Sequence, residues 1–342
     1  MFKLSTIQPE EIGGGINLLD LGASGKLPDY WKPLAKLINL IGFDPNKEEC
    51  VRLNSEESEF LTQKFLPYAI AGESKNFTLY KTNSIYCWSL LEPDLQWLRR
   101  FSYSDLFEIN ETEKISAYTL EDVKELADLD IDAIKIDTQG LELQILNASE
   151  KIVKNCIFIE TETGFTKNYL GETTFDEIAL YMRSKGFGLF AINTDHRISR
   201  KNNFSEKTNN EEMLWCEAIW LRDFSRNGLN LENITREKAL KALLIFANHG
   251  CYSFGLETAK RFLEMDLLTI EEYNILSEST SAWILKNEKE NIKSEKVTHK
   301  RNDIFRVILN IIPRRYYSTI SIHIQELYGK RHPFSPKSPK KY

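Results

Sequence analysis

Up to Arg222 the chain alternates short apolar runs with polar turns and amphipathic stretches. Ile16 to Leu21 is a run of strand length, closed by Gly22 and Gly25. Leu37 to Phe43, Phe65 to Ile70, Ile131 to Ile136, Cys156 to Glu160, Phe187 to Ile192 and Met213 to Leu221 repeat the theme. Runs of this length between turn residues predict buried strands. Tyr30 to Asn39, Glu48 to Asn54 and Phe175 to Lys185 carry helical patterns, the last stopped by Gly186, and another amphipathic helix follows Gly140. Asn76 to Lys81 alternates polar and apolar residues, which predicts a half-exposed strand. Leu91 to Phe107 holds a candidate helix that would cover a site, and Thr119 with Asp122 predicts a variant capping box. Strands alternating with helices argue for an α/β fold built on a doubly wound, mainly parallel sheet. No repeat of fixed period interrupts it.

After Arg222 the pattern turns helical, over Thr235 to Asn248, Leu256 to Met265 and Thr269 to Glu288. Leu240, Leu243, Leu244 and Ala247 fall at i, i+3, i+4 and i+7, the stripe of a helix facing a core. The expected organisation is a lead-in over 1–15, an α/β domain over 16–225, a C-terminal helical appendage over 230–290 and a basic tail over 291–342.

Composition narrows the class. Hydrophobic residues at 42% and charged residues at 27% are those of a globular chain with a sizeable core. No run of about 18 uncharged apolar residues is present, so no membrane-spanning helix is expected. The start, Met1-Phe-Lys-Leu, lacks the apolar stretch of a signal peptide. The five cysteines stand far apart without a C-x-x-C pair, which argues against a zinc site or a disulfide framework. A cytoplasmic protein with reduced thiols is expected. The net charge of −6 conceals an asymmetry: Lys293 to Tyr342 holds 12 Lys/Arg against 3 Asp/Glu, so the tail is +9 and the rest −15. Such a tail, with the apolar Ile304 to Ile324, suits peripheral contact with an anionic membrane surface. The other reading is packing of Ile304 to Ile324 on the helices. Nucleic acid is not expected, because the acidic body would repel phosphates.

Candidate chemistry gathers at the ends of the predicted strands. Asp20, Gly22 and Gly25 form a D-x-G-x-x-G turn between strand and helix. The dinucleotide fingerprint needs glycine in the first position. A carboxylate there suits a cationic ligand, and S-adenosylmethionine carries both a sulfonium and an ammonium group. An ordinary strand-to-helix turn is the other reading. Asp44, about 24 residues further on, falls where an acid at the end of the second strand accepts ribose hydroxyls. Asp137 falls at the end of a central strand, open to a ligand crevice.

Lys135-Ile-Asp-Thr-Gln-Gly-Leu-Glu142 resembles the signature of the FkbM-type methyltransferases. Asp20-x-Gly22-Ala23, Gly42-Phe-Asp-Pro45, Ser89-Leu-Leu-Glu-Pro93, Thr119-Leu-Glu-Asp122, Phe158-Ile-Glu160 and Tyr169 to Phe175 match in the same order, so that the resemblance spans about Asn17 to Leu221. Lys26 departs from it, standing where many members have glycine. The resemblance implies a Rossmann-like class I methyltransferase fold and an S-adenosylmethionine-dependent enzyme acting on hydroxyl oxygens. The expected cofactor residues are Asp20, Gly22, Ala23, Ser24, Gly25, Asp44 and Ala71. Ser89, Gln139, Glu160 and Glu162 are expected to meet the substrate.

A hydroxyl is a poor nucleophile, so a general base or a metal is needed. Asp137 is the first candidate base or metal ligand; binding the cofactor's ammonium or capping the next helix are its alternatives. His196 is the second candidate base. Glu160 and Glu162, two apart on a strand, face one side. A divalent metal at Asp137 and Glu160 stays open, as does a solvated edge for the two glutamates. Tyr86, Trp88 and Trp97 suit either a sugar face or packing. The expected function is O-methylation of a sugar hydroxyl in a glycan or glycolipid precursor. Its rivals are methylation of a lipid, peptide or small molecule, and a non-catalytic cofactor-binding subunit of a glycan-assembly complex. Neither acceptor nor oligomeric state is fixed by the sequence.

Overall fold

The computed structural model describes residues 8–25, 27–193, 195–201, 211–226, 234–278 and 280. Its strands are β1 (Ile16–Leu21), β2 (Ile38–Phe43), β3 (Thr62–Leu66), β4 (Ala69–Ile70), β5 (Lys75–Thr82), β6 (Ile109–Tyr118), β7 (Ala133–Ile136), β8 (Phe158–Gly164), β9 (Phe187–Asn193), β10 (Arg197–Ile198), β11 (Glu212–Met213) and β12 (Trp215–Arg222). Its helices are α1 (Lys47–Ser55), α2 (Leu95–Leu98), α3 (Glu142–Ala148), α4 (Glu150–Asn155), α5 (Phe175–Ser184), α6 (Arg236–Asn248) and α7 (Tyr252–Glu264). None of the described helices is long and apolar enough to cross a membrane.

A seven-stranded sheet runs in the order β3-β2-β1-β7-β8-β12-β9. The first five strands are parallel; β12 runs against both β8 and β9. Ile16, Leu18, Leu19 and Leu21 of β1 are all fully buried, because helices cover both faces. One face packs on Trp31, Leu34, Leu240 and Phe246, the other on Ile145, Leu146, Ile178 and Met182. The chain order reverses between β1 and β7, and that switch point is where open α/β sheets form their ligand crevice.

Several elements differ from expectation, each for a local reason. The Phe65 to Ile70 run splits at Pro67: β3 joins the main sheet, while β4 joins a three-stranded sheet of order β4-β6-β5. Proline lacks the donor a continuous strand would need. Asp29–Leu37 forms a 3-10 helix with Pro33 inside it. The Leu91 to Phe107 stretch is only α2 and a 3-10 turn at Ser104–Phe107. Thr119 does not close a capping box; its hydroxyl bonds the Asp122 side chain at 2.9 Å, and its N–H donates to Ser74 Oγ at 3.0 Å.

The C-terminal helices begin as expected, with Thr235 Oγ1 accepting the Lys238 N–H at 3.2 Å. However, α6 lies within the flank of the sheet, not beside it: every residue from Ala239 to Asn248 is buried. Its base is tied down by Asp132, which is fully buried and accepts from Lys238 at 2.7 Å, Lys241 at 2.8 Å and the Asn17 N–H at 2.9 Å. Residues 270–278 form a further helix. The rest of that expected helix, the basic tail and Lys26 lie outside the described residues.

Candidate active site

The crevice opens where β1 and β7 end side by side. The Asp137 N–H donates to Leu21 O at 2.9 Å, and the Gly22 and Ala23 N–H groups both donate to Phe43 O, at 2.9 and 3.0 Å. A Cβ built on Gly22 would fall 1.9 Å from the Asp137 carbonyl oxygen, and its φ is +80°. The glycine is thus required by the closeness of the two strand ends. A cleft of about 110 Å³ lies above them, lined among others by Gly22, Ser24, Asp44, Ser89, Asp137 and Gln139. Asp44 is 8% exposed, and one of its oxygens accepts the Asn46 N–H at 2.7 Å. Burial pushes its carboxyl up to about 6, helped by the neighbouring acids Glu49, Asp20 and Asp137 and opposed by the Asn46 bond. A carboxyl so placed, among acids on a cleft wall, fits the paired hydroxyls of a ribose.

Beside the cleft, the ladder lines up two polar rows on one face. Asp20, Lys135 and Glu160 are register partners across β1, β7 and β8. Asp137 follows Lys135 by two residues, and Glu162 and Glu217 face each other across β8 and β12. Lys135 Nζ lies 3.2 Å from Asp20 Oδ1, and the Tyr30 hydroxyl donates to Glu160. Gln139 joins the second row: its Nε2 donates to Asp137 Oδ1 at 2.7 Å and reaches Glu162 Oε1 at 3.4 Å. The Tyr169 hydroxyl donates to Gln139 Oε1 at 2.8 Å, and Ser89 Oγ donates to Gln139 O at 2.8 Å. Gln139 has φ +55°, unusual for a residue with a side chain, and these bonds hold it there. Burial raises the Glu162 carboxyl well above the usual range, reinforced by the charges of Asp137 and Glu217. Burial also raises Asp137, against the pull of Lys135 and the Gln139 amide. Glu160 is pushed up to about 7 by burial. For Lys135, burial works against the charge but Asp20, Asp137 and Glu160 outweigh it, so it stays protonated.

Residues 27–189 match the methyltransferase FkbM domain family. The chain carries an FkbM methyltransferase domain. No curated protein matches the chain. Among solved structures, magnesium protoporphyrin IX methyltransferase from Synechocystis PCC 6803, with bound SAM, is 10% identical; 61% of this chain and 70% of that one are covered at a TM-score of 0.31. Precorrin-6y C5,15-methyltransferase from Geobacter metallireducens GS-15 is also 10% identical, with 61% and 80% covered at a TM-score of 0.31. The plantazolicin methyltransferase in complex with SAH is 13% identical, with 60% and 76% covered at a TM-score of 0.30. The FkbM match supports an S-adenosylmethionine-dependent methyltransferase, and the sheet order is Rossmann-like.

The cleft gathers Gly22, Ser24, Asp44, Ser89, Asp137 and Gln139 of the expected residues. Others sit elsewhere. Asp20 is 4% exposed and turned to Lys135, so the cation it meets here belongs to the protein and not to a ligand. Ala23 is buried beneath the turn, and the Gly25 N–H donates to Glu49 Oε1 at 3.2 Å. Ala71 is fully buried, its N–H bonded to Tyr118 O at 2.9 Å, and Ala69 and Ile70 line the cleft in its place. Glu160 and Glu162 do share one face, but Glu160 is engaged by Tyr30. Among the described residues no group of three or more His, Cys, Asp or Glu is arranged to hold a metal ion. Glu142 accepts the Thr138 N–H at 2.9 Å and the Gly140 N–H at 3.1 Å, serving the turn after β7. Of the expected aromatics, Tyr86 and Trp88 line the cleft, while Trp97 packs on Phe101. His196 stands outside the cleft lining, with Nε2 3.0 Å from Glu217 Oε1. Glu217 was not foreseen: a single acid inside an apolar run carries no local signal, and its place follows only from the reversed direction of β12.

Proposed function

We propose that this methyltransferase acts on a hydroxyl oxygen of a sugar, in a glycan or glycolipid precursor. The observation that carries the reading is the polar arc that leaves the cleft through Asp137, Gln139, Glu162 and Glu217 to His196. An acceptor laid along it would meet carboxyls, an amide and an imidazole, groups that exchange hydrogen bonds with a polyhydroxylated molecule. S-adenosylmethionine, when bound, supplies the electrophilic methyl carbon. Asp44 would accept from its ribose, and Ser24 and the Gly22 turn would take the near wall of the cleft. Asp137 and Gln139 belong to both the cleft lining and the arc, so they would hold the acceptor oxygen in line with the methyl group. Such positioning supplies much of the rate in a displacement of this kind.

The test uses the purified full-length protein with S-adenosylmethionine and a panel of free sugars, sugar nucleotides and polyprenyl-linked saccharides. The reading expects release of S-adenosylhomocysteine together with a sugar product heavier by one methylene in mass spectrometry. Retention of the cofactor without turnover on any hydroxyl acceptor would favour a binding subunit instead.

A further inference from the structure

Because β12 runs against β8, its first residues reach the crevice end of the sheet, where β9 also ends. Glu217 stands opposite Glu162 in one ladder and opposite Asn193 in the other. Asn193 Nδ2 donates to Glu217 Oε2 at 2.5 Å, and Glu217 Oε1 lies 3.0 Å from His196 Nε2. The imidazole is stacked on the Trp215 ring, with centroids 4.9 Å apart and planes 19° apart. The amide fixes the carboxylate, the carboxylate fixes one ring nitrogen, and the indole fixes the ring plane. A carboxylate can only accept, so Nε2 carries the hydrogen and Nδ1 keeps the lone pair. A base held by a carboxylate that is itself held by a third group is the arrangement of a prepared proton acceptor.

Asp137 is the competing candidate, and its surroundings suit it less. Its Oδ1 already accepts from Gln139. Next to it, burial and the charges of Asp137 and Glu217 raise Glu162 well above the usual carboxyl range, so two acids compete at that point of the cleft. For Glu217 burial raises the carboxyl, but the hydrogen bonds from His196 and Asn193 outweigh this and hold it below the usual range, so it is ionised. Lys135 bears on Glu217, and Asp137, Glu160, Glu162, Tyr30 and Cys216 are the titratable groups that feel its charge.

We propose that His196 takes the proton of the acceptor hydroxyl and that Glu217 is its positioning residue. The inference rests on the hydroxyl-acceptor reading above. In the step, the acceptor oxygen bonds the methyl carbon. The carbon–sulfur bond breaks with its electron pair left on sulfur. The hydroxyl proton passes to Nδ1 of His196, and Glu217 stabilises the imidazolium.

The experiment has two arms on the full-length protein. With the sugar found by the acceptor panel, kcat and KM are measured against pH for the wild type, His196→Asn, Glu217→Gln and Asp137→Asn. Both His196→Asn and Glu217→Gln should lower kcat by about 10²-fold or more, with the KM for S-adenosylmethionine unchanged. His196→Asn should also abolish the acidic limb of the profile. A His196→Asn variant with wild-type kcat and limb, or loss of the limb in Asp137→Asn alone, would overturn the proposal. In the second arm, nitrogen-labelled histidine is observed by NMR without any acceptor. The ring-nitrogen shifts should report the hydrogen on Nε2 in the wild type and its redistribution between the two nitrogens in Glu217→Gln, and an unchanged tautomer would overturn the dyad. Absence of turnover on every sugar, with the tautomer as expected, would instead overturn the sugar reading on which the proton-accepting role rests.

Discussion

At the N-terminal edge of the main sheet, Asp132 is fully buried and both of its oxygens are met by lysines of α6, at 2.7 and 2.8 Å. At the C-terminal edge, Asp20, Asp137, Glu160, Glu162 and Glu217 gather around Lys135, and burial lifts several of them above the usual carboxyl range. The same strands carry both arrangements, only a few residues apart. Charge at the lower edge is matched inside the protein and holds α6 to the sheet. Charge at the upper edge is left in excess of its partners, in the way that functional sites perturb their acids. The comparison teaches where each end directs its interactions: the lower one to the fold, the upper one to a ligand that brings hydrogen-bond donors and positive charge.

The largest expected effect breaks the boundary between these two ends. Gly22→Val would place a Cβ where the Asp137 carbonyl oxygen stands, at a φ that valine avoids. Strain and overpacking of this kind cost about 3 kcal/mol or more together. Denaturant unfolding should show a protein that is unfolded or destabilised by that amount, with no heat of S-adenosylmethionine binding. A variant as stable as the wild type would mean that the strand ends are farther apart than they are here.

Asp132→Asn attacks the lower edge alone. It keeps the shape and leaves the Lys238 and Lys241 ammonium groups without their shared carboxylate. Breaking a buried pair in this way costs about 3–5 kcal/mol. The loss should appear in the unfolding midpoint, while cofactor affinity in the folded fraction stays unchanged. Loss of affinity with stability intact would show the two ends to be one system.

The upper edge has a pH signature of opposite sense to most carboxylates. Glu160 titrates near about 7 in the folded protein, raised first by burial, against an ordinary glutamate value of about 4.3. Between these values the native state holds a proton that the unfolded chain has released, so its contribution is complete at low pH and is lost as pH rises towards about 7. Thermal melts of the wild type should therefore fall across this window. In Glu160→Gln the fall should be shallower, by about 1 kcal/mol for each unit of pH over which the group would have titrated. Parallel curves would show that Glu160 is not held in its raised state.

Much of this organisation was legible in the chain, for reasons that explain the rest. Strands buried on both faces read as plain apolar runs, so β1, β2, β7 and β12 stand out. Capped helices stand out too, as with Asn46 before α1 and Thr235 before α6. The strand β6 has no such mark, because nearly all of Ile109 to Tyr118 is at least partly exposed on both faces. The Phe65 to Ile70 run looks continuous until pairing assigns its halves to different sheets. In the site, Asp44 and Asp137 reach the cleft because they follow strands that end at the switch point. The partners that decide the behaviour of Asp20 and His196 come from β7 and β12, about 115 and 21 residues away. Nothing local to either residue announces those partners, and only the sheet register brings them together.

The central claim is that the crevice between the ends of β1, β2 and β7 holds S-adenosylmethionine, with Asp44 on its ribose. Calorimetric titration of S-adenosylmethionine into the full-length protein and its Asp44→Ala variant tests this most directly. The account predicts binding by the wild type and an affinity weaker by about 1–3 kcal/mol in Asp44→Ala, since the ribose hydroxyls lose their acceptor. No binding by the wild type, or equal affinity in a folded Asp44→Ala, would contradict it.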